Sequence, residues 1–189
     1  MLFNDSERNH SLRSQILKYF ISSVMTDDER AKLLGLPEGC RIREGAKIIE
    51  PNNFKCGEYV WIGEGAILDA SGGLEIGAHT SIGLNVMVWS HTSHLPNLAM
   101  NNQIGSPLIE RKPTRIGKGC FIAGPSVIYH GVTIGDKVVI LPMSVVTKDI
   151  PGNSLVAGAP AEIKRTITDK FIQEEIERVE SINRKDAAK

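Results

Sequence analysis

From Ile116 onward the aliphatic positions recur every six residues. Ile116, Ile122, Ile128, Ile134, Ile140 and Val146 open successive steps. A small or β-branched residue stands four places after each of the first five, at Cys120, Ser126, Val132, Val138 and Ser144. Glycine or alanine follows the opener at Gly117, Ala123 and Gly135. An α-helix repeats every 3.6 residues and a single long strand every 2, so neither carries this pattern. A chain that turns a corner every six residues does. Each short strand points its opener inward, and the small residue fits the tight corner before the next strand. The pattern predicts an all-β solenoid.

The same frame extends towards the N-terminus. Ile42, Ile48 and Phe54 keep the six-residue step, which then slips by two to Ile62 and Leu68. A second slip at Ser71-Gly72-Gly73 precedes Ile76, Ile82 and Val88, with Thr80, Val86 and Thr92 as corner residues. Residues 94–113, HLPNLAMNNQIGSPLIERKP, have no period, and removing them restores the frame at Ile116. They are expected to form a loop thrown out of a corner, and long excursions from compact domains tend to be functional.

Helical spacing flanks the repeat on both sides. Leu12, Ile16, Tyr19, Phe20 and Val24 recur at three and four, and Asp27, Asp28 and Glu29 open a second short helix before the break at Pro37–Gly39. This segment, residues 1–41, is expected to cap the open first coil, whose apolar side chains and edge groups need cover. The solenoid takes 42–165. In 166–189, Ile167, Phe171, Ile172, Ile176 and Val179 predict an amphipathic helix capped by Thr168 or Asp169, and residues 183–189 read as a disordered tail.

Composition alters this picture little. The chain has 189 residues, 41% of them hydrophobic, enough for one solid core. Lys+Arg and Asp+Glu both number 22, which argues against a nucleic-acid or membrane-surface partner. Aromatic residues are only 5%, in keeping with narrow corners. Cys40, Cys56 and Cys120 form no C-x-x-C pair, pointing to a reduced, cytoplasmic setting. The first residues, MLFNDSERNHSLRS, read as polar and without a signal peptide, and the apolar run Tyr19–Met25 is too short to span a bilayer.

Candidate chemistry gathers in V88-W-S-H-T-S-H-L-P96, where the repeat gives way to the excursion. Two histidines at an exposed corner suit proton transfer. A zinc site of His91 and His94 with His79 or His130 from adjacent coils is the competing chemistry, but no Asp, Glu or Cys nearby shows a ligand spacing. No metal is expected.

The hexads, the histidine corner and the closing V145-V-T-K-D-I-P-G-N-S-L-V-A-G-A-P-A-E-I-K-R165 resemble the hexapeptide-repeat acyltransferases. The branch they are most similar to holds the maltose, galactoside and nodulation-sugar O-acetyltransferases and their relatives from polysaccharide gene clusters. The resemblance covers residues 42–165. It implies a left-handed parallel β-helix, a homotrimer, acetyl-CoA as donor and a sugar or glycan hydroxyl as acceptor. On that resemblance the catalytic base falls at His94, with His91 as the alternative. Phe121, Gly124, Thr147, Lys148, Lys164 and Arg165 match positions that contact coenzyme A, and Asp69 matches an acceptor-side aspartate. Trp89, beside the histidine corner, joins the acceptor side. One arginine of the basic cluster is replaced by Glu162. Two other readings of the same fold are a metal-dependent hydratase of the carbonic-anhydrase kind and a non-catalytic scaffold.

Overall fold

A computed structural model describes residues 6–187 apart from 102 and 104. Two helices come first, α1 (Glu7–Ser22) and α2 (Asp27–Leu33). The first coil is β1 (Arg41–Ile42), β2 (Lys47–Ile49) and β3 (Phe54–Cys56), and the second is β4 (Trp61–Ile62), β5 (Ile67–Asp69) and β6 (Leu74–Ile76). In the third, β7 (Ser81–Ile82) and β8 (Met87–Val88) are followed by an excursion holding β9 (His91–Thr92), α3 (His94–Leu98) and β10 (Glu110–Arg111). The coil closes with β11 (Thr114–Ile116). Then come β12 (Phe121–Ile122), β13 (Val127–Ile128) and β14 (Thr133–Ile134), followed by β15 (Val139–Ile140) and β16 (Val145–Val146). The chain ends with β17 (Ser154–Ala157), β18 (Glu162–Thr166) and α4 (Asp169–Ala187).

The strands stack into three parallel faces. Among the described residues the first face runs β1-β4-β7-β12-β15-β17-β18, the second β2-β5-β8-β13-β16 and the third β3-β6-β11-β14. The openers form the core: Ile42, Ile62, Ile82, Ile122 and Ile140 lie one above another with no exposed surface, as do Leu68, Val88, Ile128 and Val146. The corner residues Cys120, Ser126, Val132, Val138 and Ser144 are buried as well, as the repeat predicts. A parallel β-solenoid with helices at both ends is therefore the architecture.

Two register assignments differ from the sequence expectation. Cys56, rather than Phe54, takes the place under Ile76, and Phe54 pairs with Leu74. Thr92 is no corner residue; it pairs antiparallel with Glu110 at the foot of the excursion. The reason is common to both. The corner between the second and third faces is enlarged in each of the first three coils, by a 3₁₀ turn at Pro51–Asn53, by Ser71–Gly73 and by the excursion. A six-residue count drifts wherever that corner grows. The excursion also starts earlier than expected and is partly ordered, for Lys112 N–H donates to Ser90 O and closes its base.

The cap is built to satisfy an edge. Hydrogen bonds run both ways between coils, Arg43 N–H donating to Ile62 O and Gly65 N–H to Glu44 O. The first coil has no coil beneath it, so the backbone groups of Ile42 and Ile48, which alternate to that outer side, need other partners. Arg30, buried within α2, donates to Ile42 O at 2.6 Å, Met25 O at 2.6 Å and Ser22 O at 3.0 Å. The Tyr19 hydroxyl donates to Ile48 O at 2.7 Å and accepts from Ile48 N–H at 2.5 Å. Residues outside the repeat thus replace a missing coil.

At the other end β18 runs antiparallel against β17, and α4 lies along the first face beside Val139 and Gly119. Thr168 Oγ1 caps it by accepting from Phe171 N–H at 3.2 Å. The helix continues through Ala187, where a disordered tail was expected from 183, and a Glu180–Arg184 pair at 3.9 Å spans that last stretch. The expectation for 188 and 189, like that for residues 1–5, lies outside the described residues. Among the described residues no helix is long and apolar enough to cross a membrane. Burial pushes the half-buried Cys56 thiol up to about 12, with Cys40 next to it, so it is a poor nucleophile.

Candidate active site

The enlarged corner is also where the chemistry sits. Strand register stacks Asp69, the Trp89–His91 turn, Tyr129–His130 and Thr147–Lys148 on one edge, each at the end of its second-face strand. Adjacent coils lie about 4.8 Å apart, so this edge is a column of candidate site residues.

Asp69 anchors it. The carboxylate has no exposed surface, yet it is held by Ser71 N–H at 3.0 Å, Ser90 N–H at 2.9 Å, the Ser90 hydroxyl at 3.2 Å and His91 Nδ1 at 2.7 Å. Burial pushes its pKa up, but the backbone donors of Ser90 and Ser71 and the His91 ring outweigh that and hold it below the usual carboxylate range. An ionised carboxylate only accepts hydrogen bonds, so His91 Nδ1 must carry the proton between them. Nε2 is then the basic nitrogen. His91 Nδ1 also lies 3.0 Å from Ser71 Oγ, and its ring meets Trp89 edge-on at 6.2 Å between centroids.

His94 is placed differently. It is exposed at the start of α3, and its Nδ1 lies 3.0 Å from Thr92 Oγ1, a hydroxyl that can donate or accept. Nothing there fixes which nitrogen is basic. His130, one coil beyond His91, was named above only as a ligand of the alternative zinc site. Its side chain is 8% exposed, it faces Glu110 of β10 at 3.5 Å, and its Nδ1 is buried without a partner among the described residues. His79 lies on another corner, stacked on Tyr59 at 5.1 Å. Among the described residues no three His, Cys, Asp or Glu side chains converge as metal ligands.

The residues expected to meet coenzyme A divide into two groups. Thr147 and Lys148 belong to the histidine edge and are exposed, and Lys148 makes no ion pair among the described residues. Phe121 is half exposed on the first face. Gly124 stands at the corner between the first and second faces, where a Cβ would collide with the Leu84 carbonyl of the coil below. Lys164 and Arg165 are on β18; Lys164 pairs with Glu162 at 3.1 Å, and the Arg165 guanidinium lies 4.0 Å over the Phe171 ring. A single chain therefore does not bring the two groups together.

The comparisons with known proteins agree with this architecture. A family model described as bacterial transferase hexapeptide (six repeats) matches residues 113–148. The galactoside O-acetyltransferase of Escherichia coli is 31% identical over 169 residues, covering 84% of this chain and 80% of that protein. The chain belongs to the hexapeptide-repeat acetyltransferases. Within this family, the putative colanic acid biosynthesis acetyltransferase WcaF of E. coli is 33% identical over 124 residues, 66% of this chain. That match spans 64% of the relative's own length. A hexapeptide-repeat-containing acetyltransferase of Vibrio cholerae, solved in complex with acetyl-coenzyme A, superposes with a TM-score of 0.59 at 28% identity, covering 89% of this chain and 94% of that one.

The acetyltransferase fold explains which site residues the repeat could reveal. Histidines at the break in the hexads were visible. The burial of Asp69 and its bond to His91 were not, because they depend on two coils being stacked in a particular register.

Proposed function

We propose that this protein is an acetyl-CoA-dependent O-acetyltransferase acting on a hydroxyl of a sugar or glycan intermediate, with His91 as general base. The Asp69–His91 pair carries the assignment, and it exchanges the roles expected from the sequence for His91 and His94. A sugar hydroxyl is a poor nucleophile at neutral pH. His91 Nε2 takes its proton as the oxygen attacks the thioester carbon, and the imidazolium returns that proton to the departing thiolate. Asp69 stabilises the imidazolium and fixes the ring; its own proton inventory does not change. Asp69 is therefore a positioning residue rather than a contact to the acceptor. Relatives described as galactoside O-acetyltransferase and colanic acid biosynthesis acetyltransferase support the sugar acceptor. Purified protein with acetyl-CoA and a panel of sugars, sugar phosphates and nucleotide sugars tests the reading. Thiol release dependent on an acceptor is expected, and no thermal stabilisation by coenzyme A would leave the scaffold reading.

On the donor side, we take Lys148, exposed on the histidine edge, as the contact to a phosphate of coenzyme A. A charge-assisted contact is worth about 1.5–3 kcal/mol, so Lys148→Ala raises the acetyl-CoA KM roughly tenfold or more and leaves the acceptor KM nearly fixed. Movement of the acceptor KM instead would put the donor elsewhere.

The active assembly is a homotrimer with sites between chains. Two observations support this. The outward side chains of the second face are Lys47 in the first coil and then the apolar Ile67, Met87, Val127 and Val145, whereas those of the third face are Lys55, Glu75, Arg115 and Thr133. The donor residues are also split between two edges, and packing one copy against the next offers a way to reunite them. Light scattering at micromolar concentration is expected to give three chain masses; a monomer would overturn the assembly.

A further inference from the structure

The third-face side of the catalytic corner narrows what carries the acceptor hydroxyl. A cleft of about 480 Å³ opens there, between the enlarged corners of the first two coils and the foot of the excursion. That volume lies in the range of small-ligand sites. The cleft adjoins the His91 ring on its Nδ1 side, through neighbours of the histidine rather than the histidine itself. It is lined by Ser71, whose Oγ is 3.0 Å from His91 Nδ1, and by Arg111, the register partner of His91 across β9 and β10. Asn52, Asn53 and Lys55 also line it. Corner enlargement created this space, since a six-residue corner has no room for it.

Its charges do not balance. The carboxylate of the lining, Glu75, is engaged by Arg115 at 3.5 Å. Lys112, next to Arg111, is taken up by Glu110 at 2.6 Å. Among the described residues Arg111 and Lys55 have no carboxylate within ion-pair distance. Two unmatched cations and two amides therefore face one cleft beside the catalytic base. Amides pair with hydroxyls as donor and acceptor at once. A guanidinium offers a fork that fits phosphate or carboxylate, and an ammonium adds a point charge.

We propose that this cleft receives the acceptor and selects a sugar bearing an anionic group, either a phosphate ester or a carboxylate, which Arg111 and Lys55 hold while Asn52 and Asn53 meet its hydroxyls. The proposal rests on the acyl-transfer reading above. A neutral sugar would leave both cations without a partner, so charge on the acceptor becomes the basis of selection.

The test measures acetyl transfer from acetyl-CoA to galactose 1-phosphate, glucuronic acid and methyl galactoside, with the full chain and with Arg111→Gln, Lys55→Gln and the double variant. One or both anionic acceptors are expected to exceed the neutral one in kcat/KM by roughly tenfold or more, through KM. Which of them does so separates a phosphate from a carboxylate. Each single variant should erode that preference and the double variant abolish it, with the acetyl-CoA KM unmoved. Equal or better use of methyl galactoside, or a preference untouched in the double variant, overturns the proposal while leaving the acetyltransferase reading intact. Where none of the three is acetylated, calorimetric titration of galactose 1-phosphate and glucuronic acid decides. Binding that weakens with salt and is lost in the double variant supports the cleft, and binding of neither overturns it. Failure of the chain to bind acetyl-CoA at all would instead remove the underlying reading and the proposal with it.

Discussion

Replacing His91 by alanine is expected to lower kcat by roughly 10²–10⁴, the cost of losing a general base, while His94→Ala loses far less than tenfold. The asymmetry follows from what each ring touches. His91 Nδ1 is tied to a buried carboxylate at 2.7 Å, which leaves Nε2 as the nitrogen with a free lone pair. His94 has the Thr92 hydroxyl as its ring partner and, among the described residues, no carboxylate. Asp69→Asn should fall between wild type and His91→Ala, because an amide can still bond to the ring but can present its N–H and select the wrong tautomer. Coenzyme A binding and the assembly mass are the controls, and both should survive in the His91 variant. A dead His94→Ala beside a His91→Ala of near-normal kcat would return the base to the position expected from the hexad count.

The second large effect is structural. Arg30→Leu is expected to destabilise the fold by about 2 kcal/mol or more, because the buried Ile42 carbonyl and the part-buried Met25 carbonyl lose this donor at once, Ser22 O keeping only Met25 N–H, and each orphan costs about 1–3 kcal/mol. The acceptors belong to different segments: Ser22 at the end of α1, Met25 in the following turn and Ile42 on the first coil. Their loss detaches the cap as well as leaving polar groups bare. Arg30→Lys should restore little, since an ammonium has no planar fork to reach three acceptors. Denaturant unfolding at fixed protein concentration reads this directly. An Arg30→Leu variant within about 0.5 kcal/mol of wild type, the usual range of a surface change, would mean the cap is held by apolar packing alone.

These two residues mark where the sequence was legible. Openers such as Ile122 and Ile140 announce themselves, because one apolar side chain must enter the prism at every face. Coil stacking then follows with no further information. Arg30 belongs to no repeat and lies in a short polar helix, and only the absence of a coil beneath β1 shows why a guanidinium is needed under Ile42. Asp69 sits in an ordinary-looking strand end, and its partner His91 is 22 residues away. The contact exists because Ser71–Gly73 and the excursion enlarge the same corner. Counting from Val88 carried the frame into Thr92, whereas the chain had already left the prism at Ser90. The repeat predicts whatever recurs, and the active site is made of the departures from it.

The column on the histidine edge has one more property. His91 and Lys148 belong to coils separated by a single intervening coil, through β8, β13 and β16. Their separation along the prism is therefore two steps of about 4.8 Å, and it changes only in whole steps. On the proposed assignment of base and phosphate contact, the solenoid would measure its extended donor with a ruler whose graduations are coils. Loop exchange can alter the acceptor without moving a mark, while inserting or deleting one eighteen-residue turn between the two residues shifts the donor's phosphates against its thioester by a full graduation.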